Sequence, residues 1–95
     1  MATGTEIDQR TRDIAKLLPP YRVLLHNDDH NSMDHVVHAL VNSVPGLGVE
    51  RAGEIMLEAH FHGVALVIAA PLELAELYRD RLQTFGLTAT IERGD

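Results

Sequence analysis

The chain contains no cysteine, which excludes a disulfide framework, a thiolate metal site and a thiol nucleophile. A reducing, cytoplasm-like compartment fits that absence. No apolar run approaches the roughly 18–20 residues that a membrane-spanning helix needs, and the first residues lack a signal-peptide apolar core, so a soluble protein is expected. Basic residues are few: 8 Lys and Arg stand against 14 Asp and Glu, for a formal charge of −6. Such a balance repels phosphate backbones and argues against a nucleic-acid partner. Internal repeats, low-complexity tracts and nucleophile motifs are also missing, and Gly46-Leu47-Gly48 is too short to read as a phosphate cradle. No catalytic centre and no cofactor is expected.

What is present is enough for one core: 95 residues, 45% of them hydrophobic, suit a single domain. Residues 1–18 are too polar to bury much surface and read as a flexible N-terminal arm, in which Asp8 to Leu18 is a candidate short helix. Pro19-Pro20 then stiffens the entry to a core domain spanning 19–95.

The core reads as strand, helix, helix, strand, helix, strand. Tyr21 to Leu25 is rich in β-formers. Ser32 is a good N-cap for a helix with Met33, Val36, Val37, Leu40 and Val41 at helical spacing. Val49 to Phe61 repeats Ala52, Ile55, Met56 and Ala59 on one side, with Gly63 as its stop. The continuous apolar run Val64 to Ala70 reads as a central strand buried on both faces. Pro71 opens a third helix with Leu74, Leu77, Tyr78, Leu82 and Phe85 as its buried stripe, and Leu87 to Ile91 alternates as a last strand. These elements predict an α+β fold, a small α/β sandwich in which three helices cover a three-stranded antiparallel sheet.

Between the first strand and first helix stands Asn27-Asp28-Asp29, a cluster that breaks strands by competing for backbone hydrogen bonds. Adjacent carboxylates call for solvent, a donor or a cation. Alone, the cluster reads more readily as a solvated turn. Its flanks, however, run Pro19-Pro20-Tyr21-Arg22-Val23-Leu24-Leu25-His26-Asn27-Asp28-Asp29, then Met33, then Met56-Leu57-Glu58-Ala59-His60-Phe61-His62-Gly63. In these residues the chain closely resembles the ClpS adaptors, from about Leu18 to Glu92. Members of that family recognise destabilising N-terminal residues, the N-degrons, and hand substrates to the N-domain of a Clp-family AAA+ unfoldase, ClpA or ClpC, for degradation by ClpP.

The resemblance implies a site. Asn27, Asp28, Asp29 and His60 would receive a free α-amino group, a cation with three donors near neutral pH. Asn31, Met33, Val36, Met56, Ala59 and Leu87 match the positions of the hydrophobic pocket and its rim, with Met33 as a pliable gatekeeper. Asn31 stands where the family often has Thr, and Ala59 where Val is common. Leu, Phe, Tyr and Trp are the first residues expected to bind. Glu73, Glu76 and Tyr78 match an unfoldase-docking surface, although Tyr78 replaces a common Lys, and both acids also suit the start of a helix dipole. A monomer is expected, in the cytoplasm or, if the source is plastid, the stroma.

Two rival readings use the same residues. The histidines His26, His30, His35, His38, His60 and His62 with Asp28 and Asp29 have the donor chemistry of a zinc site, but no compact ligand spacing. A general acid–base pair of Asp28 and Asp29 with His60 lacks an oxyanion hole. No metal site is assigned.

Overall fold

The computed structural model describes residues 19–94. The expected arm and its Asp8–Leu18 helix lie outside these residues. The described elements are β1 (Tyr21–His26), α1 (Met33–Ser43), α2 (Val49–His62), β2 (Val64–Ala70), α3 (Leu72–Thr84) and β3 (Thr88–Arg93). This is the predicted order, and all strand pairs are antiparallel.

The strand order is β2-β1-β3, so the central strand is β1 and not the apolar β2. The run Val64–Ala70 is continuous in sequence but one-sided in space: Ala65, Val67 and Ala70 are buried, whereas Val64 and Leu66 are each 40% exposed. A register shift at Val23/Leu24, where Leu66 and Ile68 face consecutive β1 residues, inserts Val67 as an extra residue. Bulges of this kind break strict alternation, which is why Ile68 and Ala69 fall out of phase with the first half of the strand. On β1, Val23 and Leu25 point into the core, and on β3 Ala89 does so. The helices cover that one face of the sheet, α1 resting on α2 and α3 rather than on the strands themselves.

Each helix is set by its local chemistry. Ser32 caps α1 by accepting a hydrogen bond from the His35 backbone N–H at 3.2 Å, satisfying a donor that has no partner within the helix. Helix α2 buries Ala52, Ile55 and Ala59, the 3–4 spacing read from the sequence, and stops at Gly63, whose φ of 88° is left-handed. Helix α3 differs from expectation. Its buried residues are Ala75, Tyr78 and Leu82, while Leu74 and Leu77 are 43% and 41% exposed. With about 100° of rotation per residue, the small Ala75 rather than Leu74 completes the stripe through Tyr78 and Leu82.

Candidate functional site

The site begins where β1 ends. The Asn27 backbone N–H donates to the Gly63 carbonyl at 2.9 Å, so the left-handed stop of α2 fastens the first residue of the turn beside the last turn of α2. The next residues fold around one carboxylate. Asp28 Oδ1 accepts from the backbone N–H groups of His30 and Asn31, each at 3.0 Å. The Asn31 side-chain amide donates to both Asp28 oxygens at 3.0 Å and to the Gly86 carbonyl at 3.0 Å, tying the turn to the α3–β3 connection. Burial alone pushes the Asp28 carboxyl up. The hydrogen bonds from the Asn31 side chain and from the Asn31 and His30 backbones, with the charge of His30, outweigh it and leave Asp28 below the usual carboxylate value.

Behind the turn lies an open cavity, about 370 Å³ of empty space with its mouth included. Met33, Val36, Met56 and Ala59 form its apolar side, and Asn27, Asp28, Asn31 and His60 its polar side. The structure thus brings together residues from the end of β1, the turn, the first turn of α1 and the second half of α2. Of these, Met33 is 46% exposed and Ala59 3%.

Two residues expected here stand elsewhere. Leu87 is 4% exposed within the core cluster and does not line the cavity; it precedes β3, and its side chain is used in closing the sheet against the helices. Asp29 is exposed in the turn beyond the lining residues. Conversely, Leu25 and His26 line the cavity without having been assigned to a pocket. Both immediately precede Asn27, so proximity to the turn was the available signal. The His26 Nε2 shares a 2.7 Å hydrogen bond with the Thr90 hydroxyl on β3, which fixes its ring beside the pocket.

The remaining expectations scatter over the fold. Glu73 is exposed and Glu76 partly buried, but Tyr78 is 9% exposed and belongs to the core, so its ring is not part of an open docking surface. His35 Nε2 donates to the Phe85 carbonyl at 2.7 Å, and His38 meets the Phe85 ring edge-on. Among the described residues no group of three or more His, Asp or Glu is gathered in a metal-binding arrangement.

Comparison with known proteins gives a consistent set of relatives. A family model described as ATP-dependent Clp protease adaptor protein ClpS matches residues 16–90. The ATP-dependent Clp protease adapter protein ClpS of Synechococcus elongatus is 45% identical over 95 residues, covering 100% of both chains. The chloroplastic adapter protein CLPS1 of Arabidopsis thaliana is 40% identical over 89 residues, 94% of this chain and 56% of its own. In fold, the chain is similar to Agrobacterium tumefaciens ClpS2, solved bound to L-phenylalaninamide, with a TM-score of 0.75, 24% identity and coverage of 80% of this chain and 98% of that one.

Proposed function

From the premise that this chain belongs to the ClpS family of Clp protease adaptors, we infer that its cavity holds the first residue of an N-degron substrate. A large apolar side chain, Leu, Phe, Tyr or Trp, enters between Met33, Val36, Met56 and Ala59. The α-ammonium group stays at the polar lip. The observation carrying this reading is the join of an apolar wall to Asn27, Asp28 and His60 in one cavity. The phenylalaninamide bound by the Agrobacterium protein supports it.

The hydrogen bonds divide the labour at the lip. Asp28 Oδ1 already accepts from three internal donors, so Asp28 supplies negative charge and acts on the amine through water. The Asn27 side-chain carbonyl and a ring nitrogen of His60 offer the direct acceptors, and exposed Asp29 adds attraction that salt screens. Delivery is to the N-domain of a ClpA- or ClpC-type AAA+ unfoldase, for which Glu73 and Glu76 on α3 are the proposed contacts, Tyr78 supporting them from below. Proteolysis belongs to that machine and its ClpP partner, and the chain itself catalyses nothing. Cyanobacterial and chloroplastic relatives support a cytoplasmic or stromal place of action.

The test is direct. Labelled peptides beginning with free Leu or Phe are expected to bind in fluorescence anisotropy, and the same peptides with an acetylated amine are not. Equal affinity for both would refute amine recognition.

A further inference from the structure

Helix α2 ends in three consecutive residues with three different exposures. Ala59, at 3%, forms part of the cavity wall, His60 stands at the lip, and Phe61 is 73% exposed. No other large hydrophobic residue among those described is as open to solvent. At about 100° per residue the helix turns Phe61 roughly 200° away from Ala59, so the ring can join neither the core nor the cavity. It packs instead on the lip: the Phe61 and His60 ring centroids are 5.0 Å apart at 76°, an edge-on contact.

Resting on the reading of the cavity given above, we propose that Phe61 is a subsite for the second residue of the bound N-terminus and that it favours an apolar or aromatic side chain there. With the first side chain against Ala59 and the amine at His60, the second Cα lies about 3.8 Å farther along the chain. In an extended peptide the second side chain points away from the first. It therefore leaves the cavity on the outer side of the lip, within reach of a ring held 5.0 Å from His60. A phenyl ring offers contact area and an edge-to-face partner but no hydrogen bond. Glu58, exposed three residues before Phe61 on the same helix, lies next to that surface. An acidic second residue meets like charge there, and also from Asp28 and Asp29.

The experiment measures anisotropy competition by phenylalaninamide and by three peptides identical except for Phe-Phe, Phe-Ala or Phe-Asp at their start. It compares the full chain with its Phe61→Ala variant. The unaltered chain is expected to bind Phe-Phe about 2- to 10-fold more tightly than Phe-Ala, the range of an aromatic pair, with Phe-Asp weakest. In Phe61→Ala the Phe-Phe to Phe-Ala ratio should fall to near one, while phenylalaninamide, which has no second side chain, binds within about twofold of before. A ratio that survives the substitution overturns the subsite. So does a loss for phenylalaninamide as large as that for the peptides, which would mean that Phe61 acts by positioning His60. If the unaltered chain fails to bind phenylalaninamide, the reading of the cavity itself falls, and the subsite with it.

Discussion

Replacing Asn31 by Ala tests how the polar lip is held. The Asn31 amide has two N–H donors: the contacts to Asp28 Oδ1 and Oδ2, both 3.0 Å, share one of them, and the 3.0 Å contact to the Gly86 carbonyl takes the other. A hydrogen bond to a charged group contributes about 1.5–3 kcal/mol and a neutral one about 0.5–1.5 kcal/mol. Asn31 and Asp28 are both only partly buried, so water replaces much of what is lost, and the expected destabilisation is about 1–2 kcal/mol. The pH dependence identifies the cause. Asp28 is held below its usual value in the fold, so its contribution is fully present above the unfolded carboxyl value of about 3.9 and disappears as pH falls through the folded one. Urea unfolding should therefore show a gap between the original chain and Asn31→Ala at pH 7 that narrows on acidification toward pH 3. Phenylalaninamide affinity should fall with it, because the turn carrying Asn27 loses its tie to Gly86. A gap that is the same at both pH values, or smaller than about 0.3 kcal/mol at pH 7, would show that the amide does not support the Asp28 carboxylate.

Four further outcomes are expected. His60→Ala weakens binding of a Leu-headed peptide by at least about 1 kcal/mol in anisotropy, and Asp29→Ala, which removes an exposed charge, by about 0.5–1 kcal/mol at low salt and less at high salt; a folded variant with unchanged affinity removes that residue from the site. Ala59→Val narrows the wall and shifts the preference between Phe- and Leu-headed peptides by about 1 kcal/mol or more, the scale of a methylene in an apolar pocket; an unchanged ratio would place Ala59 away from the guest. Ser43 is fully buried with no hydrogen-bond partner for its hydroxyl, so Ser43→Ala should be neutral or stabilising by up to about 1 kcal/mol in urea, and clear destabilisation would reveal a partner. Gly63→Ala should cost about 1 kcal/mol or more at a φ of 88°. A Gly63→Ala protein as stable as the original would mean that the turn tolerates another backbone geometry.

Much of this architecture was legible in the chain because it depends on neighbours. Ser32 caps α1 whatever lies beyond it, Gly63 ends α2 because only glycine is at ease in the left-handed region, and Ala52, Ile55 and Ala59 share a face through helical geometry alone. Of the residues that the resemblance assigned to a site, Asn27, Asp28, Asn31, Met33, Val36, Met56, Ala59 and His60 line one cavity. Elsewhere a partner distant in sequence decided. Leu87 lies in the core and not among the residues lining the cavity, whereas the burial of Tyr78 follows the helical stripe read from the sequence. His26 became part of the cavity through Thr90, a residue 64 positions away.

Local sequence therefore determined which segments became helix or strand, where they stopped, and that a strand would end in an acidic turn, since each depends on hydrogen bonds and sterics within a few residues. Only the tertiary structure decided that β1 lies between β2 and β3, that one face of an apolar strand stays uncovered, and that the two halves of the lip meet across the Asn27–Gly63 hydrogen bond. Strand order and burial are settled by which surfaces exclude water together, and an apolar run has the same local pattern at the edge of a sheet as at its centre.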